Sequence, residues 1–212
     1  MALVSHKYKF IYLKTFKTAS SSTYQFFSKY CAEPGASIEI MGSETPCVSE
    51  WGIVGTHYEC RNVNNWGAHI NAKEVKDALG EEVFDNYYKF TTVRNPFQTA
   101  VSAFRHNYPD ADHGRFDKFI TEEYDSEENW DIYTLDGVPV CDSYIRYESL
   151  IEGVNGVLQT LKMGNPITAK DFPRLRVMAG QSRAYKAFYT KDISFYANKV
   201  CKKELDFFDY KL

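Results

Sequence analysis

Apolar positions along the chain fall into short alternating or continuous runs and into helical stripes, and the two kinds take turns. Residues 8–13, Tyr-Lys-Phe-Ile-Tyr-Leu, form an aromatic and β-branched run that predicts a first strand. A polar stretch, 14–22, follows, after which Thr23, Phe26, Phe27 and Tyr30 recur at helical spacing. Residues 31–70 carry scattered Gly, Pro, Ser and Asn and read as loops with one short strand near 51–55. Asn71-Ala72-Lys73-Glu74 has the spacing of a capping box, Val75, Ala78 and Leu79 supply an apolar face, and Gly80 ends that helix.

The clearest strand is 88–93, Tyr-Lys-Phe-Thr-Thr-Val, and it runs directly into Arg94-Asn95-Pro96. Asn95 suits a helix N-cap and Pro96 the first helical position. Phe97, Ala100, Val101 and Phe104 then form one stripe, with Gln98, Ser102 and Arg105 on another face. Residues 143–146 predict a strand, Leu150, Val154, Val157, Leu158 and Leu161 a helix, and 193–207 a last helix. Strands alternating with helices predict an α/β fold, a single domain over 1–212 with a central parallel sheet flanked by helices. No repeat or linker divides the chain.

Composition adds limits. At 212 residues, 44% hydrophobic and 25% charged, the chain is an ordinary globular one, so disordered and collagen-like classes fall away. Sixteen Tyr, fifteen Phe and three Trp predict a core and a cleft built from flat side chains. No apolar run approaches the roughly 18 residues of a membrane span. The start, Met1-Ala2-Leu3-Val4-Ser5-His6-Lys7, has neither signal-peptide nor anchor character, which gives the expectation of a soluble cytoplasmic protein without a membrane partner. Cys31, Cys47, Cys60, Cys141 and Cys201 show no metal-ligand spacing and read as free thiols.

The formal charge of −3 argues against a nucleic-acid partner but hides two local runs. Residues 110–142 hold eleven Asp or Glu against Arg115 and Lys118, and are read as a solvated surface. Residues 170–191 hold Lys170, Arg174, Arg176, Arg183, Lys186 and Lys191 against Asp171, a run suited to an anion.

A loop that leaves a parallel strand and opens a helix presents unpaired amides and the positive end of the helix dipole. The segment Lys14 to Ser22 has this form but contains no Gly, so it is not the G-x-x-x-x-G-K-[ST] loop of nucleotide kinases. The hydroxyls of Thr18, Ser20, Ser21 and Ser22 would add donors. Arg94, at the carboxyl end of the best strand, and Ser102, on the non-core face of the next helix, are placed to grip a second phosphate.

These residues carry a family resemblance. Lys17-Thr18-Ala19-Ser20-Ser21-Ser22 resembles the 5′-phosphosulfate loop of sulfotransferases that use 3′-phosphoadenosine 5′-phosphosulfate (PAPS), in the heparan/uronyl 2-O-sulfotransferase branch. Phe90-Thr91-Thr92-Val93-Arg94-Asn95-Pro96-Phe97, continued to Val101-Ser102-Ala103-Phe104, resembles the 3′-phosphate motif of that superfamily. Ile145-Arg146-Tyr147-Glu148-Ser149-Leu150 and the segment 185–210 are similar to further family stretches. Gln98-Thr99 departs from the Asp-Arg that relatives often have there, which removes a structural ion pair.

The resemblance implies in-line sulfuryl transfer from PAPS to a hydroxyl acceptor, without a metal, in a soluble microbial or viral member of the family. It implies that Lys17 stabilises the leaving phosphate, that Thr18, Ala19, Ser20, Ser21 and Ser22 hold the 5′-phosphate, and that Arg94 and Ser102, with help from Arg183, hold the 3′-phosphate. The aromatic side chains favour a carbohydrate acceptor. A base must take the acceptor proton, and His57 and His69 are the candidates, His57 beside an apolar strand end and His69 before the Asn71 cap, with Glu59 behind them. His6, His106 and His113 read as surface or loop residues. Two other classes stay open: a small-molecule kinase that needs Mg²⁺ and ATP, and a non-catalytic module that binds an anionic glycan.

Overall fold

The computed structural model describes residues 1–36, 38, 46–56, 66–67, 70–175 and 185–212. Its centre is a six-stranded sheet made of β1 (Ala2–Ser5), β2 (Phe10–Leu13), β3 (Cys47–Ser49), β4 (Gly52–Val54), β5 (Tyr88–Val93) and the strand Ser143–Arg146. A small hairpin of β6 (Thr134–Leu135) and β7 (Val138–Pro139) stands apart, so the sixth strand of the main sheet is β8. Strand order is β3-β4-β1-β2-β5-β8.

The expected parallel sheet exists in β2, β5 and β8, which pair in parallel with Phe10 opposite Tyr88 and Phe90 opposite Ser143. The sheet as a whole is mixed, because β1, β4 and β3 extend it by antiparallel pairing. The difference lies at the start of the chain. Ala2-Leu3-Val4-Ser5, read above only for its lack of leader character, is fully buried and folds back on β2 through a tight turn in which Lys9 takes φ 52. A four-residue run gives too little periodicity to separate a buried strand from other buried segments.

The helices are α1 (Ser20–Ser28), α2 (Ala72–Leu79), α3 (Glu81–Asn86), α4 (Pro96–Asn107), α5 (His113–Lys118), α6 (Glu128–Ile132), α7 (Leu150–Thr160), α8 (Lys191–Val200) and α9 (Lys202–Phe208). The capping box of α2 forms as its spacing predicts, with Asn71 Oδ1 accepting from the Glu74 amide at 3.0 Å and Glu74 Oε2 from the Asn71 amide at 2.8 Å. The last predicted helix is two, broken at Cys201. No helix among the described residues is long and apolar enough to cross a membrane.

Side chains alternate between the sheet's two faces. Phe10, Tyr12, Phe90 and Ile145 meet α1 and α7 on one face, where Gly153 lets α7 press against Ile145: a β-carbon there would lie 2.9 Å from Ile145 Cγ2. Ile11, Leu13 and Val93 meet Trp66, Val75, Phe84 and Trp130 on the other. A third cluster joins the α4 stripe, Phe97, Ala100, Val101 and Phe104, to Phe116, Phe119, Phe188 and Ile193. The acidic run is therefore more than a solvated surface. It folds as α5, a π-helical turn at Phe119–Glu123, α6 and the β6–β7 hairpin, and it buries Phe116, Phe119, Ile120, Trp130 and Tyr133.

Candidate active site

At the carboxyl ends of β2 and β5 the chain leaves the sheet through two loops that touch each other. The first, 14–19, turns sharply without glycine, and both Lys17 (φ 58) and Ala19 (φ 63) occupy the left-handed region. For residues with a β-carbon that conformation costs on the order of 1–2 kcal/mol each. A buried hydroxyl cluster holds the loop in place. Thr15 Oγ1 donates to the Thr92 carbonyl, Thr18 Oγ1 lies 2.8 Å from Thr15 Oγ1 and 2.9 Å from Thr92 Oγ1, and the Tyr12 hydroxyl lies 3.0 Å from Thr92 Oγ1. Ser20 Oγ donates to the Thr15 carbonyl.

The hydroxyl-rich composition of the loop thus serves two purposes. Thr18 and Ser20 spend their side chains on the loop's own geometry, and Ser22 Oγ accepts from the Leu175 amide at 3.0 Å. Ser21 is half-buried and lines the cleft outside. Ala19 stands at the N-cap of α1 and gives it no capping side chain, so the first amides of the helix, on residues that line the cleft, have no side-chain acceptor from the cap.

The second loop brings Arg94. Arg94 is 9% exposed, donates from Nη1 to the Lys17 carbonyl at 3.1 Å, and has its Cζ 4.0 Å from the centroid of the Tyr147 ring. Nε and Nη2 donate to Gln98 Oε1 at 3.4 and 3.3 Å. Gln98 therefore orients Arg94 with a neutral carboxamide one helical turn away, and the departure from the family's acidic residue leaves the arginine a partner. Burial lowers the pKa of Arg94, while Tyr147, Glu148 and Tyr210 oppose that shift. Arg94 has five N–H donors in its guanidinium, and the groups above engage one on each nitrogen, so donors remain for a ligand. Asn95 caps α4 as predicted, accepting from the Phe97 amide at 3.0 Å, and its Nδ2 ties down the Lys211 carbonyl at 2.8 Å.

One cleft of about 940 Å³ collects these groups, within the range that holds a drug-sized or nucleotide ligand. Lys17, Ala19, Ser20, Ser21, Ser22, Arg94 and Ser102 line it, whereas the Thr18 side chain is turned into the hydroxyl cluster behind. His57, His69, Glu59 and Arg183 lie outside the described residues. Arg105, on the same helix, turns away from this cluster and donates to the Ala111 carbonyl at 2.7 Å.

Several wall residues gave no signal in the sequence. Asn129 grips the backbone of Phe16 twice, accepting from its amide at 2.6 Å and donating to its carbonyl at 3.1 Å. This clamp fixes the residue just before Lys17. Glu123, Asp125 and Glu128 also line the cleft, so part of the acidic run faces the same space as the basic loops. Tyr108 and Arg115 hold the Glu123 carboxyl below its usual range. Burial and the neighbouring Asp125 push Glu128 up to about 7. Arg174, a member of the basic run, also lines the cleft.

Comparison with curated proteins and with solved structures gives no significant match. A family model described as "Sulfotransferase family" covers residues 1–210, nearly the whole chain and both cleft-forming loops. With that coverage, and with the strand, loop and helix arrangement around Lys17 and Arg94, the chain belongs to the sulfotransferase family.

Proposed function

We propose that this sulfotransferase takes its sulfuryl group from PAPS and passes it to a hydroxyl group of a carbohydrate. The observation that carries the reading is the convergence of two anion-binding elements, the uncapped start of α1 beside Lys17 and the buried Arg94 with Ser102, on one cleft. A nucleotide with phosphates at both 5′ and 3′ positions asks for two such elements at once. Aromatic rings of Phe16, Tyr124, Tyr147 and Phe172 on the wall suit a base or a sugar face.

In this reading the amides of Ala19 to Ser21 and the Ser21 hydroxyl bind the 5′-phosphate. Arg94 and Ser102 bind the 3′-phosphate and fix the donor's register, with Gln98 and Tyr147 keeping the guanidinium in one orientation. Lys17 stabilises the negative charge that develops on the leaving oxygen, the kind of preorganised electrostatic help that dominates such transfers. Because the Lys17 carbonyl accepts from Arg94, the two ends of the donor site are mechanically joined.

Calorimetry with 3′,5′-ADP and 5′-AMP tests the reading. Arg94→Ala should weaken 3′,5′-ADP binding by about 1.5–3 kcal/mol, the range for a charge-assisted hydrogen bond, and affect 5′-AMP much less. Equal losses for both nucleotides would refute the assignment of Arg94 to the 3′-phosphate.

A further inference from the structure

Sulfuryl transfer to a hydroxyl requires a proton acceptor beside the oxygen that attacks, and the following inference rests on the transfer reading above. The carboxylates on the cleft wall are Glu123, Asp125 and Glu128. Glu123 is already engaged, by Arg115 Nη2 at 2.6 Å and the Tyr108 hydroxyl at 2.6 Å. Asp125 is exposed and accepts from the Glu127 amide at 2.9 Å. Glu128 differs from both: it is half-buried in the first turn of α6, and among the described residues no donor or counter-charge meets its carboxylate.

Its position is set by its neighbour. Asn129 makes the two-point clamp on Phe16, so Glu128 and Lys17 each lie one residue away from a hydrogen-bonded pair. With consecutive α-carbons 3.8 Å apart, their backbones are on the order of 10 Å from each other. Both residues line the same cleft, so an acceptor hydroxyl held in it can meet a donor at the Lys17 loop and a carboxylate at Glu128. We propose that Glu128 is the catalytic base that removes the proton from the acceptor hydroxyl.

Burial and Asp125 push this carboxyl up to about 7, which makes it a stronger base than an ordinary carboxylate while leaving it substantially ionised near neutral pH. The charged neighbour that acts on it is Asp125, with Glu127 beside it in sequence; elsewhere on the same cleft wall stand Glu123 on the π-helical turn and Lys14 and Lys17 on the clamped loop. Glu127 is paired with Lys203 at 2.9 Å. In the step, the acceptor O–H proton passes to a Glu128 oxygen and the acceptor oxygen's electron pair forms the new S–O bond. The bond between sulfur and the bridging oxygen breaks, and its electron pair stays on the 5′-phosphate beside Lys17. The products are a sulfate ester, 3′,5′-ADP and a proton that Glu128 returns to solvent.

The test follows 3′,5′-ADP released from PAPS, with water and with the neutral disaccharide N,N′-diacetylchitobiose as acceptors, from pH 5.5 to 9. Glu128→Gln should lower kcat by about 10²–10⁴-fold and leave 3′,5′-ADP affinity within about twofold, since a base acts in the transition state. The wild-type loss of kcat below about pH 7 should be missing from the residual activity of Glu128→Gln and present in Glu128→Asp, which restores part of the rate. A kcat within about threefold of wild type in Glu128→Gln overturns the inference and leaves the transfer reading standing. So does a kcat loss matched by an equal loss of 3′,5′-ADP affinity, which marks a role in shaping the clamped loop. No 3′,5′-ADP formed by the wild-type protein overturns the PAPS reading and this inference together.

Discussion

Replacing Glu204 by Gln should stabilise the protein at pH 8 and do little at pH 5. Glu204 sits in α9, 6% exposed, with its Oε1 accepting from the Tyr133 hydroxyl at 2.6 Å. Burial raises its pKa from 4.5 to about 7, and the Tyr133 hydrogen bond only partly opposes this. Its neighbours Tyr133 and Cys201 are buried in turn, and their own ionisation is suppressed. The sign follows from proton counting. Between 4.5 and 7 the folded state holds a proton on Glu204 that the unfolded state has released, so stability is greatest below 4.5 and falls as pH rises through about 7. At about 1.4 kcal/mol per pH unit the interval corresponds to about 3 kcal/mol. Gln keeps the acceptor for Tyr133 and carries no charge, so it should recover most of that at pH 8. For a chain of this length the gain is roughly 6–12 °C in Tm. Thermal and urea unfolding of wild type and Glu204→Gln at pH 5 and pH 8 measures it, and the difference between the two proteins removes the contribution of Glu128, which has the same sign. The reasoning fails if Glu204→Gln is less stable than wild type at pH 8, or if the advantage is the same at both pH values.

Turnover with PAPS should survive EDTA, since Lys17 and the α1 amides supply the positive charge that a bridging metal ion supplies in kinases; activity that needs Mg²⁺ and accepts ATP in place of PAPS would point to a kinase. His57→Ala and His69→Ala should each keep kcat within about threefold if Glu128 is the base, and steady-state rates alongside 3′,5′-ADP calorimetry check this. A loss of about 10²-fold in either variant with nucleotide affinity intact would move the base to that histidine.

What was legible in the sequence was what the backbone states locally. The run 88–93 into Arg94-Asn95-Pro96 specifies strand, cap and helix within a few residues, and it forms β5 and α4 as read. The stripe Phe97, Ala100, Val101, Phe104 is buried as its spacing requires. The loop at Lys17 was recognisable from its place between a strand and a helix, but not the division of labour inside it. Which hydroxyl lines the cleft and which bonds Thr92 depends on the parallel pairing of β2 with β5, a contact across some eighty positions that no local pattern encodes. The antiparallel half of the sheet escaped for a related reason. Ala2 to Ser5 is a strand because it is flanked by β2 and β4, and its residues alone carry no alternation to show it. Asn129 and Gln98 were invisible as site residues because their roles are relational: each orients a group on another segment.

Those relational contacts also explain how one cleft holds both signs of charge in a chain whose net charge is only −3. Counted along the sequence, the acidic run 110–142 and the basic run 170–191 look like separate surfaces. In the fold, the clamp between Asn129 and Phe16 draws the middle of the acidic run to the Lys17 loop, and the bond between the Leu175 amide and Ser22 draws Arg174 to the start of α1. A dianionic nucleotide end is then favoured near Lys17, Arg94 and Arg174 and disfavoured near Asp125 and Glu128, so electrostatics alone gives the donor a direction in the cleft. Glu128 in its ionised form is disfavoured by its own burial and by the neighbouring Asp125. A cleft that only bound an anion would gain by losing them. Their presence beside the loop that carries Lys17 fits a site that must also handle a proton.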